Sequence, residues 1–226
     1  MYWVKSEGLS KIKGIVHGFL DKRSNRSVPE VTRLTRLDRI ATLKQVHSSD
    51  VFVIKNGFDL NSGQKGDAIT TDQRGIGVGV FTADCVPLLF VDKSASYVAV
   101  AHAGWRGTLS QIAKATLSEM NRSFGIKPEE IHAVIGPSIG KCCYEVGEDV
   151  ASLFIDKFGN SDRFMFRKSN SKYLLDLKEA NRVSLFNGGV RDIDVINICT
   201  RCNTAFNSYR REGKGVETQL SFIGLV

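Results

Sequence analysis

Three residues of this 226-residue chain carry donor atoms where simple packing would call for something else. Cys85 interrupts two apolar runs, in Thr82-Ala-Asp-Cys-Val-Pro. His102 follows the apolar run Tyr97-Val-Ala-Val-Ala and precedes a glycine-punctuated loop, Ala103-Gly-Trp-Arg-Gly-Thr. His47 lies in Leu43-Lys-Gln-Val-His-Ser-Ser-Asp, a polar turn after an apolar approach. Two imidazoles and a thiolate suit zinc, and three protein ligands leave a fourth tetrahedral position for water or substrate. The three lie far apart in the chain, so no local finger pattern supports them. The competing reading is a buried structural thiol, with histidines that satisfy loop backbone groups.

Two neighbours extend the chemistry. Arg106 is placed to hold an anion beside such a centre, helped by the free N–H groups and positive dipole end of a helix expected to open at Thr108. The plain alternative is a solvated arginine paired with a surface acid. Asp84 serves either as a general acid/base, as a partner fixing a histidine tautomer, or as a strand-end residue bonding to backbone N–H groups.

The surrounding elements place these residues. Ile76 to Phe81, Pro87 to Val91 and Tyr97 to Ala101 read as buried strands. A histidine at the carboxyl end of a strand, before a Gly loop and a helix, is where open α/β sheets put their sites. Thr108 with Gln111 reads as a capping box for a helix running through Leu109, Ile112, Leu117, Met120 and Phe124 to Gly125. Ile131 to Ile135 is a further strand. Glu148 to Phe158 is a helix with Val150, Leu153, Phe154 and Phe158 on one face. Asp176 with Glu179 opens a third helix, closed by Gly188-Gly189. Ile193 to Ile198 and Gln219 to Leu225 are late strands. The expectation is one α/β domain over residues 1–226, with a mixed sheet flanked by helices.

Composition narrows the function classes. With 42% hydrophobic residues the chain has a full core, and the apolar stretch Ile76 to Val91 is broken by Thr82, Asp84 and Pro87, so no membrane span is expected. No secretory signal is visible in Met1-Tyr-Trp-Val-Lys-Ser-Glu. Five cysteines is an odd count that fits reduced thiols or metal ligands better than a disulfide scaffold, which points to the cytoplasm. The net charge of +7 comes without a long run of like charges. The densest basic stretch, Lys22 to Lys44, includes Glu30 and Asp38, so a positive cleft for anionic substrates is preferred over nucleic acid. Cys199-Thr-Arg-Cys202 has metal or redox spacing. A structural zinc there would need a second ligand pair, for which His132 and Cys142/Cys143 are the only spare donors. Adjacent Cys142 and Cys143 should diverge if their segment is extended, so they are read as packing or as lining the cleft near Gly136-Pro-Ser-Ile-Gly.

Together the segments resemble a known family. Val16-His-Gly-Phe, Leu43-Lys-Gln-Val-His, Gly66-Asp-Ala-Ile-Thr-Thr-Asp, Thr82-Ala-Asp-Cys-Val-Pro, Ala101-His-Ala-Gly-Trp-Arg-Gly-Thr, Ile135-Gly-Pro-Ser-Ile-Gly-Lys-Cys-Cys-Tyr-Glu-Val-Gly, and Cys199-Thr with Ser208-Tyr-Arg-Arg occur in the order of the multicopper polyphenol oxidase or "laccase domain" family. Its members are described as purine nucleoside phosphorylases with adenosine deaminase activity. The resemblance implies zinc ligands at His47, Cys85 and His102, the residues already singled out on chemical grounds. It also implies a fold like the cytotoxic-necrotizing-factor type of hydrolase. This chain departs from the pattern in a compressed region from Leu20 through Thr42, and in Ser138 where many members carry cysteine.

For the implied chemistry, activated water would attack C6 of adenosine in deamination, with Asp84 as the proton shuttle. Arg106 and the helix start at Thr108 would position phosphate in phosphorolysis of adenosine, inosine or methylthioadenosine. Trp105 offers a stacking face or simply packs, and Gln45 bonds substrate or orients its loop. Copper oxidation is disfavoured. Four histidines cannot fill a mononuclear site and a trinuclear cluster, and Met1, Met120 and Met165 lie outside the motifs. Two further readings stay open: a cysteine hydrolase using Cys85 and His102, and a metal-bearing partner module without turnover.

Overall fold

The computed structural model describes residues 3–24, 28–55, 63–159, 161–169 and 171–226. Its centre is a six-stranded mixed sheet. In spatial order this runs β12 (Asp192–Val195), β8 (Ile131–Ile135), β6 (Val86–Asp92), β7 (Val98–Ala103), β4 (Ala68–Thr71) and β3 (Val51–Ile54). The outer pairs β12–β8 and β3–β4 are parallel and the inner pairs antiparallel. A four-stranded sheet packs on one face, in the order β1 (Ile15–Phe19), β13 (Gln219–Leu225), β5 (Ile76–Thr82) and β2 (Arg39–Ala41). A small third sheet joins β10 (Met165–Ser169), β11 (Lys172–Leu175) and β9 (Glu145–Gly147). The helices are α1 (Glu7–Ser10), α2 (Val28–Thr35), α3 (Trp105–Leu109), α4 (Ile112–Phe124), α5 (Glu148–Phe158), α6 (Leu177–Asn187) and α7 (Tyr209–Glu212).

Period-2 alternation explains the layering, because successive strand residues point to opposite faces. Leu88, Phe90, Ala99 and Ala101 face the helices, where they meet Ile112, Leu117, Met120 and Leu185. Leu89, Val91, Val98 and Val100 face the four-stranded sheet, against Val78, Val80 and Ile223. Strands covered on both faces must be apolar throughout, which is why β6 and β7 read as continuous hydrophobic runs. Each fully buried aliphatic side chain contributes about 1.5–3 kcal/mol through removal from water.

The sequence expectations hold for the mixed α/β architecture, for β8, α5 and β13 to the residue, and for the Asp176 cap, which accepts from the Glu179 N–H at 3.1 Å. Four details differ. The strand expected over Ile193 to Ile198 runs instead from Asp192 to Val195. Thr108 does not open the long helix. It sits inside the short α3, where its hydroxyl accepts a bond from Asn181, and α4 starts only after Gln111 turns into the left-handed region at φ 62. A glutamine carries no such turn signal, and that hid the break. Leu153 on α5 is 46% exposed, whereas Ala151 and Phe154 are buried. The Cys142–Cys143 segment is a turn rather than an extended strand, closed by Cys143 N–H and Tyr144 N–H bonds to the Gly140 carbonyl. Among the described residues, no helix is long and apolar enough to cross a membrane.

Candidate functional site

Strand register builds the site. In the β4–β7 pair Ala68 lies opposite Ala101, and in the β6–β7 pair Val86 lies opposite Ala103. One step further, Asp67 meets His102, whose N–H bonds to the Asp67 carbonyl at 2.7 Å. On the other side, Cys85 comes alongside Gly104. By alternation Asp67, Cys85 and His102 share the face that looks toward the four-stranded sheet, at the strand ends where that sheet no longer covers it.

His47 arrives on a loop pulled into place by Asp67. The fully buried Asp67 carboxylate accepts from the backbone N–H groups of Val46, His47 and Ser48 at 3.2, 3.0 and 2.7 Å, and from the Ser48 hydroxyl at 3.0 Å. It also bonds His102 Nδ1 at 2.8 Å. Wrapping three consecutive amides around one carboxylate forces His47 into the left-handed region, at φ 62, a conformation that costs about a kcal/mol or more for a non-glycine residue. Charge-assisted bonds of about 1.5–3 kcal/mol each outweigh that cost. Burial opposes the Asp67 charge, but the bonds from His102 and the loop amides win and hold its pKa at about 2. An ionised Asp67 accepts from His102 Nδ1, which turns Nε2 toward Cys85 as the nitrogen a metal would bind on displacing its proton.

The ligand atoms of His47, Cys85 and His102 lie within 4.8 Å of one another. The two imidazoles meet edge to face, with ring centroids 4.8 Å apart. Gly104 leaves the space for this triangle: a Cβ there would come within 3.0 Å of Cys85 Sγ and 3.1 Å of the His47 ring. Burial pushes the Cys85 thiol up, but hydrogen bonds and charge from His102 and His47 overcome it and bring the thiol down to about 6. For His102 burial disfavours the cation, while Asp67 and Cys85 favour it more and raise the imidazole to about 9. The arrangement is electron-rich and suited to a divalent cation bound through sulfur and nitrogen.

This triangle forms the floor of a cavity of about 820 Å³, a size typical of small-molecule sites. Trp105, Arg106, Tyr144 and Arg210 are on its walls. The Arg106 guanidinium stacks over the Trp105 ring, 4.3 Å from its centre. Arg210 stands 5.1 Å over Tyr144. Burial, followed by the nearby Cys85 charge, pushes the Tyr144 phenol up to about 12.

The sequence-derived residues therefore converge, with changed details. Gln45 lines the cavity, but its amide is paired to Phe81: Nε2 donates to the Phe81 carbonyl at 2.8 Å and Oε1 accepts from its N–H at 2.7 Å. These bonds tie the loop before His47 to β5. Asp84 also lines the cavity, yet its carboxylate is engaged by the Thr200 hydroxyl at 2.6 Å, the Ser208 hydroxyl at 3.0 Å and the Arg210 N–H at 2.7 Å. Thr108 is not a helix start beside the cavity: it is buried within α3, which opens at Trp105. Among the described residues, none between Leu20 and Thr42 lines the cavity. Asp67, Tyr144 and Arg210 were not singled out from sequence. Asp67 is visible only as the acid just before β4, and Tyr144 and Arg210 only as members of longer motifs.

The remaining histidines are engaged elsewhere. His17 accepts from the Ser6 N–H at 3.0 Å, and His132 meets Asp192 and Asp194. Met120 and Met165 are buried in the helix-side core, and Met1 lies outside the described residues.

Comparison with known proteins places this geometry. A family model described as multi-copper polyphenol oxidoreductase laccase matches residues 22–226. The chain is 39% identical over 200 residues to adenosine deaminase RL5 of an unknown prokaryotic organism, spanning 84% of this chain and 75% of that protein. It is 37% identical over 186 residues to a purine nucleoside phosphorylase of Clostridium acetobutylicum, spanning 81% and 76%. Among solved structures, YlmD from Geobacillus stearothermophilus superposes with a TM-score of 0.86 at 30% identity, over 99% of this chain and 98% of that one.

Proposed function

The chain belongs to the multi-copper polyphenol oxidoreductase laccase family, and from that premise we propose that it is a zinc-dependent purine nucleoside enzyme. The reactions are phosphorolysis of adenosine, inosine or methylthioadenosine and hydrolytic deamination of adenosine, carried by residues 1–226 acting as one domain. The observation that carries this reading is the His47–Cys85–His102 triangle on the floor of a nucleoside-sized cavity walled by an aromatic ring and two arginines. Relatives named for adenosine deaminase and purine nucleoside phosphorylase supply the substrate class.

The donor set fits zinc. One thiolate and two imidazole nitrogens stand at mutual distances that a tetrahedral cation draws together, and the cavity faces the fourth position. A zinc ion held there supplies, when bound, an acidified water and a positive charge against the transition state. The chain's own residues do the rest. Trp105 offers its ring to the purine, with Arg106 stacked on the other face. Arg106 and Arg210 hold phosphate for attack at C1′, where the bond to the purine nitrogen breaks and ribose 1-phosphate forms. Tyr144 keeps its proton and donates a hydrogen bond to the bound nucleoside. Asp84 handles the proton at the leaving nitrogen, exchanging one of its present donors for the substrate.

A second reading has its own observation. Cys85, His102 and Asp67 line up as nucleophile, base and orienter, with the thiol lowered and the imidazole raised, the arrangement of a cysteine hydrolase. Metal separates the two, because a thiolate that ligates zinc is not a free nucleophile. Copper oxidation is disfavoured by the engagement of His17 and His132 far from the triangle and by the burial of Met120 and Met165 in the core. Five free thiols suit a reducing compartment, and we place the protein in the cytoplasm.

The test is metal content together with adenosine turnover, with and without phosphate. Zinc lost along with turnover in His102→Ala supports the proposal. Ribose 1-phosphate release reports phosphorolysis, and inosine alone reports deamination. Metal-free protein whose Cys85 alkylates readily moves the assignment to the hydrolase.

A further inference from the structure

Away from the cavity floor, two irregular loops bring the other four cysteines together. The Sγ atoms of Cys142 and Cys143 are 3.6 Å apart, those of Cys142 and Cys202 3.7 Å, and those of Cys143 and Cys202 3.2 Å. Cys199 completes a group whose four sulfurs all lie within 4.8 Å of one another. We propose that Cys142, Cys143, Cys199 and Cys202 form a second metal centre, a closed tetrathiolate site for Zn²⁺ that fixes the wall of the cavity. The inference does not depend on the reading of the first site.

The separations carry it. A tetrahedral zinc with bonds of about 2.3 Å sets its sulfurs about 3.8 Å apart, close to the spacings seen. A disulfide needs about 2.05 Å and joins sulfurs in pairs, whereas here three thiols are mutual neighbours and the fourth stands beside them. Small-scale devices in the chain support the cluster. The turn at Gly140 swings both adjacent side chains to one side. Gly140 donates its N–H to Cys199 Sγ at 3.2 Å, and a Cβ on Gly140 would come within 3.3 Å of Cys142 Sγ and 3.4 Å of Cys199 Sγ. Asn203 N–H bonds to the Cys199 carbonyl at 2.9 Å, curling the Cys199–Cys202 segment. Arg201 places a guanidinium nitrogen 3.4 Å from Cys143 Sγ, offsetting part of the negative charge that four thiolates around one dication leave.

The position assigns a structural role, since four protein ligands leave no open coordination site. The two loops share an isolated bridge, Ser138 to Cys199, besides the contacts around Gly140 and Arg201, and otherwise lie outside the sheets. Each is wired to the cavity. Tyr144 follows Cys143, and Thr200, between Cys199 and Cys202, bonds Asp84, the neighbour of Cys85. Arg211 adds bonds to the Thr200 and Arg201 carbonyls at 2.8 Å each. A zinc ion in the knot joins these contacts into one unit.

The experiment uses the whole chain, reduced, loaded with Zn²⁺ and freed of excess. Expected are two ions per chain, falling to one in Cys199→Ser/Cys202→Ser and to one in Cys85→Ala. X-ray absorption should give a four-sulfur shell for the ion that Cys85→Ala retains. If the first-site reading fails, one ion per chain remains in wild type, still with four sulfurs and still present in Cys85→Ala. Thiol labelling of wild type covers the case in which the double variant does not fold: the four clustered cysteines should be protected with zinc and reactive once a chelator removes it, with Cys85 protected as a fifth if the first site also holds zinc. Equal labelling with and without zinc, an unchanged ion count in a folded double variant, or an intrachain disulfide within the cluster of protein purified under mild conditions would overturn the proposal.

Discussion

The two sulfur-containing clusters draw on the same donor chemistry but rest on opposite kinds of scaffold. Cys85 and His102 stand at the ends of paired strands, and Asp67 fixes His102 and the His47 loop through five hydrogen bonds. The chain itself makes that geometry, so three donors suffice and one position can stay open. Cys142, Cys143, Cys199 and Cys202 ride on loops outside the sheets, joined by an isolated bridge and a few hydrogen bonds to sulfur. There the proposed ion would add restraint that strand pairing does not supply, with all four positions taken by sulfur. The contrast teaches that the number of ligands a protein spends on a metal follows how much of the site its backbone has already built.

The largest expected effect would break that contrast outright. His102→Ala should abolish turnover and remove one equivalent of zinc, but it also strips the buried Asp67 carboxylate of a partner. Stability is therefore read in Cys85→Ala, which should lose the same equivalent with a smaller change in melting temperature. Cys199→Ser/Cys202→Ser should do the reverse, lowering stability first. A loss of roughly 3 kcal/mol would lower Tm by about 6–12 °C in a chain of this size. Calorimetry of Cys85→Ala and the double variant beside zinc counts decides it, and equal melting temperatures would erase the distinction.

Acid sharpens the comparison by separating metal loss from unfolding. His17 is 3% exposed, and burial, with Lys5 nearby, holds its pKa near 4 rather than 6.5. Between those values the unfolded chain takes up a proton that the folded chain refuses. Stability should therefore fall as pH drops from about 6.5 toward 4, by up to about 3 kcal/mol. Urea midpoints across that window should flatten in His17→Gln. Zinc release that tracks pH in both proteins alike then belongs to the metal sites.

Smaller effects probe the preorganised side. Asp67→Asn keeps the shape but weakens five bonds, and should cost about 10–100-fold in zinc affinity or activity. Metal titration alongside kcat separates that loss from a general loss of fold. Arg106→Ala should raise the phosphate KM by about tenfold, the cost of one charge-assisted contact, with deamination less affected. A parallel drop in both reactions would deny Arg106 its anion role.

The two clusters also differed in how far the sequence revealed them. Cys85 and His102 were legible because each puts a polar donor at the end of an apolar strand, where packing alone gives no reason for it. Their convergence with Asp67 was not, since it depends on the β4–β7 register, and Asp67 looks like any acid capping a strand. The clustering of the four cysteines was not read, because adjacent side chains diverge in extended chain and the turn after Gly140 brings both to one side. Gln111 hid the break between α3 and α4 in the same manner. The strands β6, β7, β8 and β13 were readable because burial on both faces demands continuous apolar runs. The β10–β11 hairpin, whose β10 is mostly exposed, gave no such pattern.

The cavity is lined from two unrelated sources. Its floor comes from strand ends where even a methyl group on Gly104 would crowd Cys85 and His47. Its rim comes from Tyr209, Gly215, Val216 and Thr218, of which Tyr209 is 53% exposed. For anyone redesigning this scaffold, the two halves are separate dials. Libraries at Tyr209, Val216 and Thr218 should move substrate preference among nucleosides, and diversity is best kept away from the floor, which carries the proposed metal ligands.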